Sequence, residues 1–424
     1  MLRLDAYKVY LVLESAAALI FSLIFTVNMV YQVSVAQLTP LQLVLVGTVL
    51  EATIFLFEVP TGVVADVYSR RLSVIVGYFI IGLGFILEGS IPIFWAIAGG
   101  QALWGLGYTF TSGATQAWIS DEIGEAAAGN AFIRGSQAGM VGALTGIVFS
   151  VWLGSLQVNI PILAGGVLFV ILGAFLVLVM PEQGFKPTPS DERTTWGKMA
   201  TTFRGGLKMI NRRPILYTIL FIGLFYGLYS EGYDRLWTKH LLENVTLPVL
   251  NGLKPVAWFG IINAVGLILS LISTEIVRRR IDINHQRNIT SLLMLVTGVL
   301  VLSLIGLAWV ANFGLALILI WLIGMAREVI YPVYTGWVNR RIDSKVRATL
   351  LSMTSQVDAI GQIAGGPVLG VIGNTFSVRA ALTASGIILS PVLGLFAKAA
   401  RQKDDSHSDV LQEDILKEKE ALAD

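Results

Sequence analysis

The chain lacks cysteine and is poor in charge, and each absence excludes a class of protein. The absence of cysteine excludes a disulfide framework, thiol catalysis and an iron–sulfur cluster. The three histidines, His240, His285 and His407, lie far apart in the sequence, so we expect no metal site and no cofactor. Charged residues make up 14% of the chain, against about 25% in an ordinary soluble domain. The small net charge of +2 predicts no nucleic-acid partner.

Apolar residues take the place of the missing charge. They make up 55% of the 424 residues, and the mean hydropathy is +0.72. A soluble fold cannot cover that much apolar surface, whereas twelve membrane helices of about 20 residues need about 240 residues, close to this content. The apolar runs are long and unbroken, which excludes a barrel of alternating strands and favours helices. The sequence therefore predicts an all-α polytopic membrane protein.

Apolar runs bounded by charged or turn residues predict twelve transmembrane helices. Their predicted limits are 6–35, 40–64, 72–87, 92–120, 130–156, 160–180, 214–237, 256–277, 289–311, 313–338, 348–372 and 380–397. The first run lacks a small-residue cleavage site, so we interpret it as an uncleaved first helix and not as a signal peptide.

Lysine and arginine predict the orientation of these helices. With the N-terminus inside, the inner loops carry Arg70, Arg71, Arg134, Lys186, Arg193, Lys198, Arg204, Lys208, Arg212, Arg213, Arg278, Arg279, Arg280, Arg287, Arg340, Arg341, Lys345 and Arg347. The outer loops carry only Lys239, Lys254 and Arg379. This asymmetry predicts that both termini are cytoplasmic, which requires an even number of spans.

A long polar stretch divides the chain into two parts. The predicted parts are an N-terminal six-helix bundle over 1–180, a cytoplasmic central loop over 181–213, a C-terminal six-helix bundle over 214–399 and a solvated cytoplasmic tail over 400–424. Inside the loop, apolar residues recur at helical spacing at Trp196, Met199, Phe203, Leu207 and Ile210. A short helix lying on the membrane surface and a loosely structured basic linker both explain this pattern.

Short matches relate the two halves. At an offset of 219 residues they pair Trp118 with Trp337, Ser136-Gln137 with Ser355-Gln356, Gly105 with Gly324, and Gly142 with Gly361. Separately, an acid lies just before an arginine pair after the second helix of each half, at Asp66 and at Glu275. Several matches at corresponding places indicate a duplication. Parallel six-helix repeats are typical of transporters, with the substrate site between the halves near mid-membrane.

The segment from Gly62 to Arg71 resembles the signature loop of the major facilitator superfamily. The positions that fit are Gly62, Ala65, Asp66, Arg70 and Arg71, while Val67 replaces a usual arginine and Ser69 a usual glycine. The preceding residues, Phe57 to Thr61, resemble the bacterial branch that contains macrolide- and tetracycline-type drug exporters. The resemblance covers the whole twelve-helix plan. It implies the two six-helix repeats of that superfamily in a multi-pass protein of the bacterial inner (plasma) membrane.

We interpret Glu58, Gly62, Asp66, Arg70 and Arg71 as a conformational latch at the inner face. Gly62 lets two helix ends approach closely. Asp66 can cap a neighbouring helix and pair with an arginine, so the cluster would hold the halves together in the outward-open state. For the arginines alone, the alternative is that they follow the positive-inside rule.

Charged residues within the predicted spans are candidate proton- or substrate-binding groups, because each costs roughly 2.5–3.5 kcal/mol at bilayer depth. They are Glu14, Glu51, Glu231, Asp234, Arg235, Arg327, Glu328 and Asp358. The third, sixth, ninth and twelfth spans carry none, with Glu88 at the outer end of the third, and these are the peripheral helices of the superfamily plan. The i, i+4 spacing allows Glu231 to pair with Arg235. Arg327 and Asp358 lie on consecutive helices near mid-depth and could pair as well.

Glu51 lies near the centre of the second span and has no obvious basic partner. We interpret Glu51 as a proton- or cation-binding group, the alternative being a structural carboxyl that is hydrogen-bonded to a neighbouring helix. Glu14 is similar but nearer the inner face. Aromatic residues on candidate lining helices, namely Trp104, Tyr108, Tyr229 and Tyr233, suit an amphipathic or cationic organic molecule, and also suit interfacial belts or helix packing.

The sequence also contains rows of glycine residues, and it differs from the drug-exporter pattern in two places. Small residues in the fifth and eleventh helices allow close helix contact and sliding. The run Gly365-Gly366-Pro367 resembles the antiporter motif of drug exporters, but that motif usually lies on the fifth helix. Exporters often carry a coupling arginine where this chain has Gln101. Either Arg327 takes over that role or the coupling differs.

The combined features predict a secondary transporter and not an enzyme. We expect proton-coupled efflux of amphipathic drug-like small molecules by alternating access. The expected partners are a small-molecule substrate, protons as the coupling ion and the lipid bilayer, with the protein acting as a monomer. The alternatives are transport of another metabolite or a sugar, and lipid flipping, which needs a lateral opening.

Overall fold

The computed structural model describes residues 5–187, 189, 197, 214–249, 254–280, 286–341 and 344–401, which contain fourteen α-helices and no strand. In chain order they are α1 (Ala6–Ser34), α2 (Pro40–Val67), α3 (Arg70–Ser90), α4 (Phe94–Thr111), α5 (Ala114–Ile123), α6 (Glu125–Leu156), α7 (Ile160–Val179), α8 (Pro214–Asn244), α9 (Val256–Arg280), α10 (Gln286–Trp309), α11 (Phe313–Arg341), α12 (Ser344–Thr375), α13 (Val378–Leu389) and α14 (Pro391–Arg401).

The fourteen helices form twelve membrane spans because two spans are interrupted. The fourth span breaks between α4 and α5 at Gly113, whose φ of +72° suits glycine. The twelfth breaks at Ser390, just before Pro391. Ten described helices are long and apolar enough to cross a membrane, with α13 and α14 counted as one. The other two spans, α4 with α5 and α12, are rich in glycine and polar residues, which suits contact with protein or water more than with lipid.

Short polar residues define where several helices begin. Thr39 and Gln42 form a reciprocal capping box at the start of α2, with Pro40 in the first turn. Ser69 and Ser377 accept the free N–H groups at the starts of α3 and α13. These residues therefore mark the turns between consecutive apolar runs.

The helices pack as two groups, α1–α7 and α8–α14, called here the N-terminal half and the C-terminal half. The end of the bundle where α1 begins and α14 ends is called the near face, and the opposite end the far face. Within the N-terminal half, α1 packs on α6, and α3 packs on α4 and α7. Within the C-terminal half, α8 packs on α12 and α13, and α10 packs on α11.

The glycine rows pack in the same way in both halves. Glycine has no Cβ, and a Cβ atom added at Gly142 of α6 would lie only 3.2 Å from the backbone nitrogen of Leu19 in α1. At the matching position in the other half, a Cβ at Gly361 of α12 would lie 2.9 Å from the backbone nitrogen of Leu228 in α8. The duplication visible in the sequence is thus a duplication of helix contacts, and the predicted close helix approach is confirmed for both rows.

The closest approaches between the halves lie next to the far face. There α2 packs on α12 and α6 packs on α9. A Cβ at Gly370 would lie 3.2 Å from the Cβ of Val44, and one at Gly154 would lie 3.1 Å from Val256. Lys239 and Lys254 of the C-terminal half also donate hydrogen bonds to backbone carbonyls of the N-terminal half. The contact surface near the far face is therefore both apolar and hydrogen-bonded.

Several predicted boundaries need correction. The seventh span is longer than 214–237, because α8 runs from Pro214 to Asn244. The third span agrees with 72–87 to within three residues, and α3 includes Glu88 in its last turn. The fourth span is two helices and not one. The apolar pattern over 196–210 and most of the tail, 402–424, lie outside the described residues.

Candidate functional site

A cavity of about 380 Å³ lies between the two halves at the middle depth of the helices. Its wall includes Glu51 of α2, Asp234 and Arg235 of α8, Trp104 of α4 and Gln362 of α12. We call it the central cavity. With Glu231, which also lines it, the central cavity brings together five of the residues that the sequence analysis selected, and they come from three helices that lie far apart in the sequence.

Both walls of the central cavity combine aromatic and polar groups. The N-terminal half contributes Phe25 and Trp104, whose rings pack 4.9 Å apart, together with the acid Glu51 and the amide of Asn28. The C-terminal half contributes the charged groups of α8, amide and hydroxyl side chains, and the rings of Trp237 and Phe259. A molecule bound here meets aromatic rings and polar groups on both sides.

A second, larger cavity of about 1050 Å³ lies within the C-terminal half and extends from mid-depth toward the near face. We call it the C-terminal cavity. Its charged lining consists of Asp234, Arg327, Glu328 and Asp358. Its aromatic lining consists of Tyr226, Tyr229, Tyr331 and Tyr334. Asp234 and Gln362 line both cavities, so the two spaces share a border.

Asp234 and Arg327 form a two-pronged ion pair at this border. Arg327 Nη2 lies 2.9 Å from Asp234 Oδ2, and Nη1 contacts Oδ1. The guanidinium also lies 5.7 Å from the ring centre of Tyr233, a cation–π distance. The predicted pairing of Arg327 with Asp358 is wrong, because α8 supplies the nearer carboxylate. Asp358 instead accepts a 2.7 Å hydrogen bond from Gln362, one turn later in α12.

The other ion pair of α8 is buried against α2. Glu231 and Arg235 pair at 3.3 Å, as their i, i+4 spacing predicts, and their side chains are 5% and 12% exposed. Gly47 of α2 makes room for them, because a Cβ at this position would overlap the Glu231 carboxylate and lie 2.5 Å from Arg235 Nε. The pair thus belongs to the contact between the halves as well as to the central cavity.

The remaining predicted groups lie apart from the central cavity. Glu14 is half-buried beside Tyr10 on α1, and it lines neither cavity. Tyr108 is 42% exposed and also lines neither cavity. Tyr229 is buried in the wall of the C-terminal cavity, and Tyr233 stacks on Trp237 beneath Arg327. Of the four predicted cavity aromatics, Trp104 and Tyr229 lie where a substrate can contact them.

The signature loop binds its own half of the molecule. Arg70 contacts Asp121 of α5, donates a 3.1 Å hydrogen bond to the Ala117 carbonyl and lies 3.7 Å from Asp66. Ser69 Oγ and the Arg71 N–H both donate to Glu182, at 2.7 and 2.9 Å. These contacts connect the α2–α3 turn to α5 and to the start of the central loop.

Two members of the predicted latch do not make the expected contacts. A Cβ at Gly62 would meet nothing within 4 Å, so no neighbouring helix lies close to Gly62 in this conformation, whereas the latch is expected to hold the halves together in the outward-open state. Glu58 is exposed. The physical reason is that the halves approach each other beside the far face, which leaves the near-face end of α2 without a neighbouring helix at Gly62.

Several polar residues of the site were missed in the sequence analysis. Asn28 of α1 lines the central cavity and donates a 2.8 Å hydrogen bond to Glu88 of α3. Gln32 and Gln101 donate to the same carboxyl. The signal was present, since Asn28 and Gln32 are two amides one helical turn apart in an otherwise apolar span. Asp121 and Glu182 were missed because the sequence does not show that they lie beside the signature loop.

The described residues match known membrane transporters in sequence and in shape. A model of the family described as Major Facilitator Superfamily matches residues 12–366. The uncharacterized MFS-type transporter YxaM of Bacillus subtilis (strain 168) is 24% identical over 385 residues, which cover 86% of this chain and 89% of that protein.

Solved transporter structures share the fold at low sequence identity. The nucleoside transporter NupG superposes with a TM-score of 0.74 at 13% identity, over 94% of this chain and 100% of that one. A bacterial homologue of the human lysosomal transporter Spinster, in an inward-facing and occupied conformation, gives 0.70 at 12% identity, over 94% and 96%. The peptide transporter POT in complex with sulfate gives 0.69 at 14% identity, over 94% of each chain. At such identities the likeness establishes the fold alone.

Proposed function

The chain belongs to the Major Facilitator Superfamily, and from that premise we propose that it exports amphipathic small molecules in exchange for protons by alternating access. Membership makes it a multi-pass membrane transporter with a small-molecule substrate. The substrate class, the coupling ion and the direction are proposals, and they rest on the chemistry of the two cavities.

The observation that carries the proposal is the mixed aromatic and charged lining of the central cavity. Its aromatic rings suit the apolar part of a substrate, and Glu51, Asp234 and Arg235 suit a polar or charged part. Glu51 is an acid at mid-depth, which is the position where binding of a proton and binding of a substrate can influence each other. We therefore assign proton binding to Glu51.

The orientation follows from the basic residues at the near face. Arg70, Arg71 and Arg279 lie at the near-face ends of their helices, and by the positive-inside rule this supports a cytoplasmic near face. With the halves in contact at the far face, this conformation corresponds to the inward-open state. Open space at Gly62 agrees with a latch that closes only when the near face closes.

A second candidate is transport of a polar metabolite. The C-terminal cavity has hydroxyl groups from Ser270, Thr274, Thr335, Thr354 and Ser355 in addition to its tyrosines. Such a wall forms hydrogen bonds with sugars, nucleosides or peptides as readily as with a drug-like cation. The structural neighbours named for nucleoside and peptide transport are consistent with this alternative.

Proton movement in inverted membrane vesicles tests the proposal. A pH gradient, acid inside, is established, and tetracycline, a macrolide, ethidium, a nucleoside, a dipeptide and a sugar are added singly while a pH dye is followed. We expect an amphipathic compound to dissipate the gradient with the wild-type protein. The response should be lost with Glu51→Gln, because the amide cannot release a proton, and with Asp66→Asn, because the latch is impaired.

The control is Glu125→Gln, which changes an exposed carboxyl at the near face outside both cavities and should leave the response intact. A response to only the nucleoside, the dipeptide or the sugar would contradict the proposed efflux of amphipathic molecules and would support metabolite transport. A full response from the Glu51→Gln vesicles would contradict the role given to Glu51. No response to any compound would contradict proton-coupled export and favour the lipid-flipping alternative.

A further inference from the structure

A fully buried carboxyl lies outside both cavities, in the N-terminal half. Glu88, in the last turn of α3, has no exposed surface, and neither have Gln32 of α1 and Gln101 of α4 beside it. Asn28 Nδ2 and Gln32 Nε2 donate to Glu88 Oε1, and Gln101 Nε2 donates to Oε2, each at 2.8 Å. Three side chains from two other helices thus surround one acid, with every contact a hydrogen bond.

No basic side chain in the described part of the chain forms an ion pair with Glu88. Of the charged groups, Arg235 of α8 acts electrostatically on Glu88, and Arg235 already pairs with Glu231. Tyr31 of α1 faces Glu88 as well, but its hydroxyl donates to the backbone carbonyl of Glu88 at 2.8 Å. A buried carboxylate without a cation is costly, so hydrogen bonds alone must stabilise its charge.

The other helices packed on α3 place no charged group beside Glu88. α7 contains no titratable side chain, and the only one on α4 is Tyr108, near the opposite end of that helix. On α2 and α5 the acids are Glu51, Glu58, Asp66, Asp121 and Glu122, at mid-depth or at the near face. Protonation of Glu88 is therefore governed first by its burial and then by its three amide partners and Arg235.

The amide partners can bind either form of the acid. In the ionised form, Glu88 accepts three N–H bonds, and in the part of the chain that the structure describes Gln101 Oε1 and Gln32 Oε1 have no hydrogen-bond partner. When Glu88 is protonated at Oε2, a half-turn of the Gln101 amide presents Oε1 to the new O–H group. Glu88 then still makes three hydrogen bonds, two accepted at Oε1 and one donated from Oε2. An arginine at this position would lack the acceptor and would bind only the ionised form.

Asn28 joins this carboxyl to the central cavity. Its side chain lines the cavity and contacts Glu88 Oε1, and Gln32 fixes the Asn28 amide by a 2.8 Å bond to Oδ1. We propose that Glu88 is a second proton-binding site, in the N-terminal half, whose change of charge affects the central cavity through its hydrogen bond with Asn28. The proposal rests on the proposed function, in which protons drive transport, and adds a site opposite Glu51.

Infrared difference spectroscopy of the purified protein, titrated in pH without any substrate, tests the proposal. A carboxylic acid absorbs in a carbonyl band that disappears when the acid ionises. We expect a pH-dependent band that is absent from Glu88→Gln and retained in Glu51→Gln. Asn28→Leu should move that band to higher wavenumber, since a carbonyl that loses a hydrogen-bond donor stretches at higher frequency. Gln101→Arg should abolish the band, because Glu88 then stays ionised.

Thermal unfolding shows whether each variant is folded, and the near-isosteric Glu88→Gln still tests the proposal if Gln101→Arg does not fold. An unchanged set of bands in Glu88→Gln would overturn the proposal, since Glu88 would then keep one protonation state throughout. A band that Asn28→Leu leaves at the same frequency would overturn the connection through Asn28. Failure of the vesicle assay with every compound would instead contradict proton-coupled export, and this spectroscopic result would be unaffected.

Discussion

At the scale of the residue, the two ion pairs of α8 differ mainly in their contact with water. The Asp234 and Arg327 side chains are 38% and 35% exposed toward the cavities, so solvent screens them. Those of Glu231 and Arg235 are 5% and 12% exposed. Removing one partner of a buried pair leaves an uncompensated charge, which costs more than the loss of an exposed contact.

We therefore expect Arg235→Leu to destabilise the protein by about 3–5 kcal/mol, the range for breaking a buried pair. Arg327→Leu should cost about 1.5–3 kcal/mol, the range for a charged hydrogen bond. Thermal unfolding in detergent measures both effects. The double variant Glu231→Gln with Arg235→Leu should recover most of the loss, because it leaves no buried charge unpaired.

Equal losses in Arg235→Leu and Arg327→Leu would contradict this assignment of burial. So would a double variant that is no more stable than Arg235→Leu alone, because the loss would then arise from the missing arginine stem and not from the unpaired Glu231 carboxylate.

At the scale of the element, glycine rows determine how closely helices approach. Gly365 of α12 lies against α8, where a Cβ would be 2.7 Å from the Cα of Leu228. Gly324 of α11 meets nothing within 4 Å and lines the C-terminal cavity. A Cβ added at its sequence counterpart Gly105 would lie 3.1 Å from Leu50 of α2, so the repeat is broken where the C-terminal cavity opens.

Alanine substitutions at these two glycines should have effects of opposite sign. Gly365→Ala forces α8 and α12 apart and should cost about 1–3 kcal/mol, the range for overpacking. Gly324→Ala fills open space within a helix and should gain about 0.5–1 kcal/mol, because alanine has the better helix propensity. Thermal unfolding in detergent measures both variants. Destabilisation of similar size in both would show that glycine flexibility, and not close packing, is the property required at Gly365.

Lysines contribute to the far-face contact in a way that hydropathy does not reveal. Lys254 donates a 3.3 Å hydrogen bond to the carbonyl of Leu156, the last residue of α6, and such terminal carbonyls have no partner within their own helix. Lys239 donates to the Leu38 carbonyl at 3.2 Å and pairs with Glu243. Each lysine thus joins the C-terminal half to a loop or helix end of the N-terminal half.

At the scale of the whole molecule, alternating access requires the far-face contact to separate. Val44 of α2 and Gly370 of α12 lie within it, with 3.2 Å between the Val44 Cβ and an added Cβ at Gly370. This separation is slightly below the usual range of about 3.5–4.5 Å between the Cβ atoms of a disulfide. Since the chain has no cysteine, a pair can be introduced without removing any native thiol.

We expect Val44→Cys with Gly370→Cys to form a disulfide under oxidising conditions and to stop transport, because the far face can then no longer open. Reduction should restore activity. Transport is followed in the vesicle assay with the compound that dissipates the gradient, and each single cysteine variant is the control. A cross-linked protein that transports as fast as the reduced one would contradict opening at this surface.

Much of the plan could be predicted from the sequence, because membrane insertion depends on local properties of the chain. The twelve spans follow from hydropathy along single segments, and the fold follows from the Gly62 to Arg71 motif and from the repeated matches. The pairing of Glu231 with Arg235 follows from spacing on one helix. Ion pairs between different helices were harder to predict from the sequence. Arg327 could pair with Asp234 or with Asp358, and only the packing of the helices selects between them.

The sequence by itself determined a membrane transporter of the superfamily fold, since composition, helix length and spacing act within single segments. Tertiary structure decided which acids face water, which contact α2 and which are buried. Glu88 shows the difference: the sequence places it at the end of a span, and three amides from α1 and α4 make it a buried site. The reason is physical, because the free energy of a buried charge depends on neighbours that only folding brings together.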